Sequence, residues 1–280
     1  MLCLAKRMRI ALNGATTMRA DLETDFHAAK AAGFDYVEIW AAKLRAFLQH
    51  RTTTELKDLI AQTRVPPLSI NSIEHVTFRA GEAYEAIKAE CAELSRVAAE
   101  INCPFIVVVP GKLPGGDVSR AEVVAESVRV LSELCDIAGR HDVALAFEFL
   151  GQADCSVQTL DLAHAIVRKT DRKNLGLVID SFHFYAGGST IEMIETVDPK
   201  LIYVFHINDA ENLPGDQLTD AHRLLPGLGI LPLKEIIAAL REISYDANAS
   251  VEIFRPEYWE QDPFQLAREA KAAMERVLKI

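Results

Sequence analysis

Four segments in the second half of the chain end alike: an apolar run, then one side chain able to bind a cation or carry a proton. LAF leads to Glu148, LVI to Asp180, YVF to His206 and ASV to Glu252. Taken singly, each has a plainer reading. Asp180 before Ser181 could cap a helix, a glutamate in a strand could be half of an ion pair, and a histidine could be a core residue. Four in succession point further. Three carboxylates and an imidazole brought to one place repel or strain one another unless a cation neutralises them, and a divalent metal does so directly. An oxygen-rich set with one imidazole suits Mn2+, Co2+ or Mg2+, and Zn2+ also occupies such sites. No cysteine stands beside the four, which argues against a structural zinc knot.

Bringing these residues together requires particular elements. Apolar, β-rich runs are expected as strands at 9–13, 36–40, 67–73, 104–110, 144–150, 175–180, 201–207 and 249–254. Between them lie helical patterns at 21–32 (with Asp21 as a cap), 54–63, 82–101, 121–139, 159–169, 190–196, 233–242 and 264–278. Eight strands alternating with eight helices predict a parallel sheet with right-handed crossovers. An open doubly wound sheet usually carries a glycine-rich turn after its first strand. Here that turn reads NGATTMRAD, with one glycine. The expected fold is therefore α/β, a closed (β/α)8 TIM barrel. The four residues then end neighbouring strands 5 to 8 and ring the mouth where such barrels gather functional groups.

The chain has 280 residues, half of them hydrophobic and a quarter charged, which suits one domain over 1–280. The start, MLCLAKR, shows no amphipathic pattern, so residues 1–7 are expected to be a non-essential extension before Met8. The opening does not read as a signal peptide. A net charge of -10 opposes nucleic acid as a partner. No apolar run nears the roughly 18 residues that span a membrane. Cys3, Cys91, Cys103, Cys135 and Cys155 form no CxxC, and this usage suits free thiols in a cytoplasm. The oligomeric state stays open, a homo-oligomer included.

Further residues fall near the same mouth. His183 follows Asp180 by three positions, Arg223 lies in TDAHRLLPGLG and Arg255 follows Glu252 in EIFRPEYW. All three are candidates to hold substrate, with a surface ion pair as the alternative for the arginines. Glu38, in YVE of strand 2, either faces substrate or supports another residue. The segment after strand 7, NDAENLPGDQ, is acidic and lacks the glycine amides of a phosphate site. A small neutral polyol or keto-sugar is therefore the expected ligand.

The motifs LNGATT, DYVEI, ALAFEF, GLVIDSFHF, HINDAENLP, LTDAHRLLPGLG and VEIFRPEYW run through nearly the whole chain. They resemble the xylose-isomerase-like barrel superfamily of sugar isomerases and epimerases, and within it the branch of inosose isomerases. The resemblance implies a metal-dependent isomerisation of a cyclic keto-polyol, an inosose (2-keto-myo-inositol), by proton transfer through an enediolate. It implies Glu148, Asp180, His206 and Glu252 as metal ligands, Glu148 and Glu252 as the acid–base pair, and His183 and Arg223 on substrate oxygens. It also leads one to expect an acidic residue where His222 stands. Inosose dehydration and ketose 3-epimerisation are the neighbouring alternatives. An endonuclease, disfavoured by the charge, and a non-catalytic polyol-binding barrel are more distant ones.

Overall fold

A computed structural model describes residues 8–279. Eight strands close into one parallel barrel: β1 (Arg9–Asn13), β2 (Tyr36–Trp40), β3 (Pro67–Ile73), β4 (Phe105–Val108), β5 (Ala144–Glu148), β6 (Leu175–Asp180), β7 (Ile202–Ile207) and β10 (Asn248–Val251), with β10 pairing back onto β1. Two short strands, β8 (Asp209–Ala210) and β9 (Arg223–Leu224), form an antiparallel hairpin over the mouth. The expected closed barrel is thus the observed architecture. Residues 1–7, read above as an extension, lie outside the described residues.

Around the barrel run α1 (Leu22–Ala32), α2 (Ala41–Leu48), α3 (Thr53–Thr63), α4 (Gly81–Glu100), α5 (Arg120–Gly139), α6 (Leu160–Thr170), α7 (Ser181–Ala186), α8 (Ile191–Glu195), α9 (Leu233–Glu242), α10 (Pro256–Trp259) and α11 (Pro263–Leu278). Their ends are chemically marked. Asp21 caps α1 by accepting from Thr24 N, while Thr52 with Glu55 and Ser119 with Glu122 form reciprocal capping boxes on α3 and α5. Helix α1 stops at Gly33, whose φ of 80° is open to glycine at little cost. Three short helices, α2, α7 and α10, escape the sequence reading because fewer than three turns show little periodicity. Strands β4, β5 and β10 are shorter than expected, and the residues beyond them form the mouth.

The core has two layers. Most apolar side chains pack between the barrel and the helices. A smaller cluster fills the barrel itself: Ala11, Leu68, Val107, Val109, Ala146, Val178 and Val204. Strand side chains alternate with a period of two. Residues two positions beyond Ala146, Val178 and Val204 therefore also point inward, one level nearer the mouth. Cys91, Cys103, Cys135 and Cys155 are free and buried. No helix of the described residues is long and apolar enough to cross a membrane.

Candidate metal centre

The inward alternation delivers Glu148, Asp180 and His206 to one level, and Glu252, just past the end of β10, joins them. Register sets the neighbours: Asp180 lies beside His206, and His206 beside Ser250. Each of the four residues offers a donor atom, and these atoms lie within 4.8 Å of one another. Ligands about 2.1 Å from a common ion sit about 3 to 4 Å apart, so the spacing suits a single cation. His206 Nδ1 is 3.0 Å from Glu148 Oε1 and 3.4 Å from Glu252 Oε2. All four residues are buried.

Other buried groups hold these four in place. Asn71 Nδ2 and Asn13 Nδ2 donate to Glu252 Oε1 at 2.7 and 3.2 Å. Asp180 Oδ1 accepts from His183 N at 2.8 Å, so this residue caps α7 as well as facing the centre. Its Oδ2 accepts from Asn208 Nδ2 at 2.8 Å and from Arg223 Nη1 at 2.7 Å. The Arg223 guanidinium lies over the rings of Phe182 and Phe254. On the far side of the His206 ring, Nε2 lies 3.0 and 3.1 Å from the two oxygens of Glu38.

Charge is concentrated here. Burial, then the charges of Glu252 and Asp180, push the Glu148 carboxyl up to about 8 against the pull of His206. Burial also acts to raise Asp180, but Arg223, His183 and His206 outweigh it and hold the carboxyl at about 2. Burial disfavours charge on His206, yet Glu38, Glu252 and Glu148 overcome it and raise its affinity for a proton well above normal. Burial, together with Arg223, lowers the His183 pKa and keeps that ring neutral. A carboxylate-rich pocket that drives protons onto Glu148 and His206 is short of positive charge. A divalent cation would supply it, and hard oxygen donors with one imidazole fit such an ion.

Above the centre opens a cavity of about 390 Å³. Glu148 and Glu252 line its floor, His183 and Arg223 one side, and Trp40 and Phe254 form an apolar wall. Asp180 and His206 lie beneath. The structure therefore gathers the four sequence-derived ligands together with His183 and Arg223. Two substrate assignments need correction. Glu38 is fully buried behind His206 and does not line the cavity, because its strand position is one level deeper than that of Glu148. Arg255 pairs with Glu211 at 2.7 Å and Glu257 at 3.3 Å on the rim, where the chain after Glu252 has turned away from the barrel. Position 222 is a histidine, and the nearby acidic residue is Asp220. Asp220 lines the cavity and accepts from Arg223 Nε at 3.1 Å, while His222 Nδ1 accepts from Thr219 N at 3.1 Å. Residues missed from the sequence are Asn13, Asn71, Asn208, Asp220, Gln152 and the Trp40–Phe254 wall.

Comparison with known proteins agrees with this geometry. The family described as "Xylose isomerase-like TIM barrel" matches residues 26–278. An inosose isomerase of Bacillus velezensis is 34% identical over 273 residues, 97% of this chain and 97% of that protein. One from Halalkalibacterium halodurans is 35% identical over 266 residues, 94% of each. A crystal structure of the IOLI protein with a bound zinc atom superposes with a TM-score of 0.94 at 34% identity, covering 97% of this chain and 98% of that one.

Proposed function

The chain belongs to the xylose isomerase-like TIM barrel family, and we propose that within it the protein is a metal-dependent isomerase acting on an inosose, a cyclic keto-polyol. The observation that carries this reading is the convergence of donor atoms from Glu148, Asp180, His206 and Glu252 on the floor of a cavity. These four residues would hold one divalent ion. Once bound, such an ion polarises a carbonyl and stabilises the negative charge that builds up when the adjacent carbon loses a proton.

The protein's own groups do the rest. Glu148 and Glu252 line the cavity, and in this reading they flank the two carbons between which the carbonyl moves. One carboxylate removes the proton from the hydroxyl-bearing carbon, and a proton is returned to the former carbonyl carbon. The hydroxyl proton passes to the former carbonyl oxygen, so the reaction is balanced without an oxidant. Such groups typically contribute 10²–10⁴-fold. Arg223 offers donors to substrate oxygens. His183 lies on the cavity wall between Gly151 N, 3.2 Å from its Nδ1, and Arg223 Nη2, 3.0 Å from its Nε2. Trp40 and Phe254 supply an apolar surface for the C–H face of a ring polyol. The wall also carries Glu74, Asp154 and Asp220, which suits a neutral ligand. The buried free thiols fit a reducing cytoplasm.

NMR of the metal-loaded protein with 2-keto-myo-inositol in D2O tests the reading. The expected result is a positional isomer of the ketone carrying solvent deuterium at the reacting carbon. A dehydrated product, or epimerisation of a ketose with no turnover of the inosose, would replace the assignment with a dehydratase or epimerase.

A further inference from the structure

We propose that Glu38 is a positioning residue. It holds the His206 ring in one tautomer and one orientation, and thereby sets how tightly the centre binds a divalent cation. The inference rests on the metal centre proposed above and concerns a residue that the reaction itself does not use.

Glu38 lies at the middle of β2 with its carboxylate fully buried inside the barrel. Asn13 on β1 and Ser69 on β3 are its register partners, and Ser250 is the register partner of His206. All three donate to it. Ser69 Oγ meets Oε1 at 2.7 Å, while Ser250 Oγ and Asn13 Nδ2 meet Oε2 at 2.6 and 2.8 Å. Neutral donors from three strands thus clamp the carboxylate from below. His206 Nε2 lies above it, 3.1 Å from Oε1 and 3.0 Å from Oε2.

A carboxylate so held can only accept, so the ring nitrogen facing it must carry the hydrogen. With a cation at the centre the imidazole is neutral and has one N–H. Its lone pair is then forced onto Nδ1, the atom beside Glu148 Oε1 and Glu252 Oε2. This places the donor lone pair of His206 at the centre and blocks rotation of the ring. The Asn13 amide nitrogen that holds Glu38 also reaches Glu252 Oε1 at 3.2 Å, so the clamp braces two ligands. Partners behind a metal-binding histidine typically change metal affinity by about 10–100-fold when replaced.

The test uses Co2+, whose visible absorption reports coordination, added to chelator-treated full-length protein. Glu38→Gln keeps the size but sets an amide against the Ser69 and Ser250 donors. Ser250→Ala removes one clamp hydroxyl without changing charge, and covers the case in which the first variant does not fold. Glu38→Gln is expected to raise the Co2+ Kd about 10–100-fold, with altered visible bands and unchanged far-ultraviolet circular dichroism. Ser250→Ala is expected to weaken binding less, in the same direction. In 15N-histidine-labelled, metal-loaded wild type, His206 should show a protonated Nε2. Folded variants that bind Co2+ with the wild-type Kd and spectrum would overturn the role of Glu38 and leave the centre standing. A wild-type protein that binds no Co2+ would overturn both.

Discussion

Arg223 Nη1 lies 2.7 Å from Asp180 Oδ2, and both side chains are fully buried. The same guanidinium reaches Glu252 Oε2 at 3.2 Å and Asp220 Oδ1 at 3.0 Å. It therefore joins two of the metal-site carboxylates to the cavity wall. Replacing Arg223 with methionine would leave buried carboxylates without their partner, a change that costs about 3–5 kcal/mol. We expect a large fall in melting temperature for the chelated protein. The fall should be smaller with saturating Mn2+, which restores part of the lost positive charge and stabilises the state that binds it. An unchanged melting temperature would show that the arginine is dispensable to the centre.

Glu148→Gln and Glu252→Gln should each lower turnover by about 10²–10⁴-fold while leaving the melting temperature near that of wild type. The two are not equivalent. Glu252 is held by Asn71, Asn13 and Arg223, whereas Glu148 meets His206 Nδ1 at 3.0 Å. The less restrained Glu148 is better placed to move a proton, so its variant should show the greater loss in kcat. Wild-type rates in both variants would remove the pair from acid–base chemistry.

A second buried ion pair makes stability depend on pH. Lys43 Nζ donates to both oxygens of Asp25, at 2.9 and 2.7 Å, and to Thr17 O at 2.8 Å, tying α1, α2 and the loop after β1 together. Burial outweighs Lys43 and pushes the Asp25 carboxyl up to about 7, against 3.8 unperturbed. The native state then binds the proton more tightly than the unfolded chain does, so this residue makes stability fall as pH rises from about 4 to about 7. Comparing melting temperatures of wild type and Asp25→Asn at pH 5 and pH 8 isolates the effect. Wild type should lose more than the variant over that range. A difference independent of pH, or reversed, would mean that the ion pair dominates burial.

The cavity should also reject doubly charged ligands. Glu74, Asp154, Asp220, Glu148 and Glu252 face it, against Lys112 and Arg223. We expect an inosose to be preferred over any phosphorylated ketose by at least about tenfold in kcat/KM, about 1.4 kcal/mol of differential transition-state binding. Parallel assays with the same metal at several ionic strengths would check this. Preference for the phosphate, strongest at low salt, would refute it.

Much of this centre could be read in the chain because barrel strands alternate with a period of two. Ala146 before Glu148, Val178 before Asp180 and Val204 before His206 show which side chains turn inward and where the apolar interior gives way to the mouth. Depth along the barrel axis is not written in that period. Glu38 carries the same signature as Glu148, yet it lies one level deeper, behind a ligand. Position after a strand end is equally ambiguous: Arg255 follows Glu252 by three residues but points to a rim pair with Glu211. Asn13 and Asn71 fall inside expected strands, which says nothing of their partners, and only the closure of the barrel brings both onto Glu252.

The most direct test of the central claim is turnover of 2-keto-myo-inositol by protein shown by elemental analysis to be free of metal. If the four converging donors exist to hold a catalytic cation, the chelated protein should be inactive, and Mn2+, Co2+ or Zn2+ added back should restore turnover in proportion to the fraction bound. Full activity in verified metal-free protein would contradict the account.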